Sequence, residues 1–213
     1  MRSVLLCAGI TVTSACVTST VDEMVFNEPI EGIGDASVVI LGRRHASDYE
    51  TEPDFVACVS EYIAARDNSI RMIEELEFLN DLYPWFEPRT APLRPVDIER
   101  LLRQEPVAEK MIALKLEYII WLDGSTIRSG GAGSMACSLG GCFGFGTWSH
   151  DANYEATIWD FTDRAEVGHV NTNTSGQSYM PAVIVPIPII APVQGTACDG
   201  IGEQLLEFLS SEY

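Results

Sequence analysis

The stretch Val4–Val12, behind Met1-Arg2-Ser3, constrains this chain most, because it decides the compartment in which everything after it must fold. One positive charge, a short apolar run and the small residues Thr13-Ser14-Ala15 make a secretory signal, with no acidic residue before Asp22. The run is too short, and too rich in Thr and Ser, to cross a bilayer, which takes roughly 20 apolar residues. Residues 1–15 are therefore expected to be removed. Residues 16–35, polar and Gly-containing, read as a tether, and 36–213 as one globular domain. Export reaches the fold through cysteine, because an oxidising compartment lets disulfides brace it.

Thr13-Ser14-Ala15-Cys16 resembles the bacterial lipobox, in which small residues precede an invariant Cys. The resemblance implies that Cys16 is acylated, with palmitate or a similar chain, and becomes the mature N-terminus. Thr13 stands where Leu is usual, so cleavage beside Ala15 without a lipid is the competing outcome. Cys7 fits worse: bulky Leu6 precedes it, and the apolar run before it is too short. Val17 follows Cys16, whereas Asp at that place resembles an inner-membrane retention signal of enteric bacteria. The resemblance thus implies a periplasm-facing lipoprotein, outer membrane favoured, touching the membrane through its lipid anchor only.

Setting Cys7 and Cys16 aside leaves Cys58, Cys137, Cys142 and Cys198. An even number in an exported chain implies two disulfides, with three possible pairings. The favoured pairing joins Cys137 to Cys142 around Ser138-Leu139-Gly140-Gly141, and Cys58 to Cys198, an early helix to the last. Zinc is the alternative, but no CxxC knuckle is present, and no metal is expected. The formal charge of −18 repels nucleic acid and anionic headgroups, so a nucleic-acid partner is excluded. The 46% hydrophobic content suits a globular chain rather than a disordered one.

Val38-Val39-Ile40-Leu41 reads as a buried strand. Thr51-Glu52-Pro53-Asp54 reads as a helix start, followed by Phe55, Val56, Cys58, Val59, Tyr62 and Ile63 at helical spacing. Residues 70–78 read as extended or mixed. Leu82–Pro88 is an aromatic loop closed by prolines, and Pro95 and Pro106 open two further helices. Leu116–Leu122 is a strand, Ser129–Ser134 a flexible Gly-rich loop, and Phe143–Trp148 and Tyr154–Phe161 are strands. Thr162–Glu166 is a turn from which Val167–Val170 runs back, and a last helix starts near Asp199. The expected fold is α/β or α+β: a single domain whose mixed sheet includes an antiparallel meander and is covered by about four helices. This layout, over roughly residues 36–210, is similar to the domain shared by curli-secretion and penicillin-binding-protein-activator lipoproteins. There too a strand such as Tyr118–Asp123 leads into a hairpin like Ile158–Val170. The resemblance implies a scaffold or regulatory lipoprotein. It transfers no site, and Gly141–Trp148 has no counterpart in it.

No catalytic set stands out, and no cofactor is expected. His45, Asp48 and Glu50 could touch one metal, though a solvated turn explains them as well. Ser134 with His150 is the other candidate, but it lacks the Gly-x-Ser-x-Gly elbow. Cys142 is committed to a disulfide, and His169 alternates along a strand. Ser129–Ser134 lacks the Lys and following helix of a phosphate loop. Tyr179–Val193 is almost wholly apolar yet carries Pro181, Pro186, Pro188 and Pro192, so it cannot be a central strand throughout. It reads either as an extended stretch buried under the last helix or as an exposed rim. The candidate partner surface is Ile184, Ile187, Ile189 and Ile190; Trp85 and Phe86, between Pro84 and Pro88, make a second candidate patch, with burial in the core as their default reading. The expected function is that of a non-catalytic envelope protein that binds, scaffolds or regulates another envelope protein. The alternative is a metal-dependent or serine-type periplasmic hydrolase.

Overall fold

The computed structural model describes residues 17–25, 33, 35–43, 51–87, 90, 92 and 96–210. The signal segment, Cys16 and the His45, Asp48, Glu50 set lie outside the described residues. In chain order the elements are β1 (Val17–Val25), β2 (Ser37–Gly42), α1 (Pro53–Arg66), β3 (Arg71–Ile73), α2 (Glu75–Asp81), α3 (Val96–Leu102), α4 (Glu105–Ala113), β4 (Leu116–Ser138), β5 (Gly141–Asp160), β6 (Ala165–Pro186) and α5 (Val193–Ser210). The strands form one mixed sheet in the order β1-β6-β5-β4-β2-β3. β2 lies parallel to β3 and β4, while β4, β5, β6 and β1 run antiparallel. The fold is therefore α+β, with the meander confined to one half of a mixed sheet.

Alternation along the strands splits the core into two layers. On one face Val38, Ile40, Tyr118, Ile120, Leu122, Tyr154, Ile158 and Val170 meet α1 and α5. On the other, Val39, Leu41, Ile119, Trp121 and Trp159 meet Phe78 of α2, Ile98 and Leu101 of α3, and Val107 and Met111 of α4. β2 is buried along its whole length, as a strand with helices on both faces must be. Cys58 of α1 is bonded to Cys198 of α5. These helices approach closely at Gly202, where a Cβ would lie 2.6 Å from the Tyr62 ring.

Several local expectations are corrected. The stretch read as a tether contributes β1, whose Val-Thr-Ser-Thr-Val sequence supplies β-branched residues to the outer edge of β6. Thr51 does not cap α1; its hydroxyl donates to the Leu122 carbonyl at 2.9 Å, and Glu52 holds the cap position without a side-chain bond to the helix. Ser129–Ser134 is no loop. It lies within β4, where a register shift between Ser129 and Ala132 absorbs Gly130-Gly131. His150-Asp151 is strand rather than turn, because the two expected strands around it are one continuous β5. Phe86 is 3% exposed and packs edge-on against Phe78, which removes it from any partner surface. Trp85 is half-buried, its indole N–H donating to the Gln104 side chain at 2.8 Å.

Candidate functional site

The feature that departs from an ordinary covered sheet is the length of β4, β5 and β6. β2 pairs with β4 only as far as Leu122, and β1 pairs with β6 only from Gly168 to Gly176. Beyond these points β4, β5 and β6 continue together as a three-stranded arm, with Leu139-Gly140 turning at its tip. Cys137 lies opposite Cys142 and is bonded to it, so the second disulfide staples the tip of this hairpin. Past Pro186 the chain doubles back along the outer edge of β6. Ile189 exchanges two backbone hydrogen bonds with Tyr179, and the Ile187 N–H donates to the Pro181 carbonyl. Among the described residues no strand covers the outer edge of β4 from Asp123 to Ser138.

The outer part of the arm, beyond Arg128, carries no formal charge. Neither 129–149 nor 176–193 contains Asp, Glu, Lys or Arg, although 21% of the chain is charged. Its apolar side chains are bare near the tip. Leu139 is fully exposed, Val183 is 73% exposed, and Phe143, Phe145, Ile184, Val185, Ile187 and Ile190 are exposed as well. Alternation places Phe143, Phe145 and Val183 on one face, with Met135, Ile184 and the disulfide on the other. Of the expected partner surface, Ile184, Ile187 and Ile190 are thus solvent-facing, whereas Ile189 is half-buried.

The base of the arm is held by polar contacts. The Tyr154 hydroxyl donates to Glu52 Oε2 at 2.9 Å and lies 2.8 Å from the Thr126 hydroxyl, while the Thr126 N–H donates to Glu52 Oε1 at 2.8 Å. The Tyr154 ring stacks on Phe55 with centroids 3.5 Å apart. Burial, reinforced by the Glu52 carboxylate, pushes the Tyr154 phenol well above its usual range. One step outward, the Trp148 indole N–H donates to His150 Nε2 at 2.8 Å, and the Arg128 guanidinium lies 4.5 Å from the Trp148 ring. Trp148 and Tyr179 therefore mark the level at which charged residues stop.

The expected catalytic pair is not assembled. Ser134 is opposite Phe145, five residues along β5 from His150, and alternation sends the two to opposite faces. At about 3.3 Å per residue the separation is roughly 16 Å, beyond a hydrogen bond through one water. His169 lies 3.6 Å from Glu155 on the sheet face below the arm. There Asp123, Asn153, Glu155, Asn171, Asn173 and Thr20 line a polar groove of about 540 Å³. Asp123 is paired with Arg43. The groove offers amides and carboxylates for hydrogen bonding but no nucleophile beside a base. Among the described residues no group of three or more His, Cys, Asp or Glu could hold a metal. In the sequence the only trace of the groove is the period-two Asn171 and Asn173, which alternation sends to one face of β6.

Among the described residues no helix is long and apolar enough to cross a membrane. No family model and no curated protein matches the chain. Among solved structures, the PelC dodecamer from Paraburkholderia phytofirmans is similar, at 10% identity and a TM-score of 0.44, over 92% of this chain and all of that one. A single-substitution variant of that dodecamer is similar at a TM-score of 0.41 and the same identity and coverage. At those scores the likeness carries no argument about this chain.

Proposed function

We propose that this chain is an exported, lipid-anchored, non-catalytic envelope protein that binds or positions an envelope component through its β-arm. The observation that carries the reading is the arm: a charge-free, stapled extension of the sheet that bares apolar side chains in a strongly acidic chain. A patch of this kind marks an interaction site rather than a solvated surface. The separation of Ser134 from His150 supports the non-catalytic part, and the lipobox-like Thr13-Ser14-Ala15-Cys16 supports the anchor.

A photo-crosslinking residue placed at Leu139 tests the arm in intact cells. Adducts to an envelope component are expected from position 139 and not from Leu76, which is exposed on α2 and outside the arm. Equal labelling from both positions, or none from either, overturns the reading. The anchor is tested separately: mass spectrometry of the mature chain should find an acylated Cys16 as its first residue, and the acyl mass should be missing from Cys16→Ser; an unmodified Cys16 overturns the anchor.

A further inference from the structure

We infer that the occupant of the arm is the hydrocarbon of a lipid bilayer, a step that rests on the arm being the working surface. A protein partner buries one face of a sheet. Here both faces are apolar near the tip, with Phe143 and Val183 on one, Met135 and Ile184 on the other, and Leu139 at the turn between them. An element apolar all round fits an apolar medium better than a single docking face. The absence of charge from 129–149 and 176–193 removes the groups that cost most in hydrocarbon.

The dimensions are comparable. From Trp148 and Tyr179 outward β5 and β6 each run eight residues, about 25 Å at about 3.3 Å per residue, against about 30 Å for a bilayer's hydrocarbon. Trp148 and Tyr179 stand at the base, where amphipathic rings meet headgroups. Arg128 and Asp151, the first charges, come immediately below. β1 enters at the same level. Val17 pairs with Gly176, and antiparallel pairing means that β1 arrives from the arm side. The described chain therefore begins at the level where the arm does, at Val17. The membrane contact thus extends beyond the lipid anchor.

One requirement follows from the backbone. Hydrocarbon does not tolerate bare strand edges. The β6 side is covered by the returning segment, where Pro186, Pro188 and Pro192 have no N–H to offer. The β4 side is open and has neither Pro nor Lys to blunt it. The inserted arm therefore has its β4 edge paired with a neighbouring copy.

The test uses the exported Cys16→Ser chain, which carries no acyl group, with vesicles of zwitterionic phosphatidylcholine. The chain is expected to co-float with vesicles and to stay bound in high salt, since the body is acidic and the contact apolar. Leu139→Asp with Val183→Asp should lower the bound fraction at least tenfold while circular dichroism and the melting temperature stay unchanged. A Leu139→Trp chain should lose fluorescence to bromine-labelled acyl chains. Failure to co-float overturns the inference, as does equal binding by the Asp variant. If the chain ignores vesicles while position 139 still crosslinks to one envelope protein, the occupant is that protein: the inference falls and the proposed function stands.

Discussion

Val17 stands opposite Gly176 on the rung of the β1–β6 ladder nearest the arm, and that rung exists because residue 176 has no side chain. A Cβ there would lie 2.8 Å from both Ala191 and Val193 and 3.2 Å from Val17. Three segments thus converge on one backbone position: the incoming N-terminus, β6 and the segment returning to α5. Gly176→Leu should cost about 1–3 kcal/mol through overpacking. Urea unfolding would report the loss, and limited proteolysis should show β1 released before the body unfolds. A variant as stable as the parent, with β1 protected, would show that the close approach relaxes freely.

The clasp of Glu52, Thr126 and Tyr154 ties the start of α1 to the foot of the arm. Tyr154→Phe should cost about 1.5–3 kcal/mol, the range for losing a hydrogen bond to a charged group. Alkali tests the same contacts. Burial, and then the carboxylates of Asp160, Glu117 and Asp163, push the Tyr118 phenol up to about 12, and Tyr154 is also raised. Unfolded tyrosine loses its proton near pH 10. Above that pH the unfolded chain binds fewer protons than the folded one, so stability is whole below about pH 10 and falls as pH rises toward the folded values. Absorbance at about 295 nm, compared with Tyr118→Phe and Tyr154→Phe variants, should show both residues ionising above about pH 10. Ionisation of either at its ordinary pH in the folded protein would contradict the burial described.

The two disulfides should differ in worth because they close loops of different length. Cys58–Cys198 spans 140 residues and Cys137–Cys142 spans 5. Chain entropy gives about 5 kcal/mol for the first and about 2 for the second. Replacing Cys58 and Cys198 together by Ala should therefore lower the melting temperature of the whole domain. Replacing Cys137 and Cys142 should leave the body's melting nearly unchanged and increase hydrogen exchange at the arm tip. Comparable losses of melting temperature from both pairs would mean that the arm and body unfold as one unit.

The body was legible in the sequence because its signals are local. The β-branched run Val38–Leu41, the helical spacing from Phe55 to Ile63 and the turn before Val167 each need only their neighbours to be read. Counting, once Cys7 and Cys16 were set aside, left four cysteines and three pairings, of which the favoured one is formed. The arm was not legible. Gly130-Gly131 and the turn at Leu139-Gly140 look alike in composition, and only pairing distinguishes a bulge inside a strand from the end of one. For Phe86 the prolines on both sides leave burial and exposure open, and only the packing of α2 and α3 over it decides for burial. Ile184 and Ile189 belong to one apolar run, yet Ile184 lies in β6 and Ile189 in the segment that doubles back beside it, a reversal that composition cannot express.

The open edge of β4 gives the most discriminating prediction. Cys137 and Cys142 have Cα atoms 4.0 Å apart, the spacing of a pair that shares no backbone hydrogen bonds. Two residues back, Met135 opposite Gly144 has the same character, so its N–H points away from β5 toward the bare edge. Met135→Pro therefore removes an outward donor and spares the β4–β5 ladder, the one kind of strand position where proline is tolerated. The stability of the monomer should change by less than about 1 kcal/mol. If inserted arms pair through β4, the same variant should lose most of its vesicle insertion and all crosslinks between copies from a photoreactive residue at Ser134. Insertion at the parental level, with the crosslinks gone, would mean that each arm enters the bilayer alone, and its depth would then be limited to the tip, where Leu139 and Phe143 can reach hydrocarbon without carrying the bare edge with them.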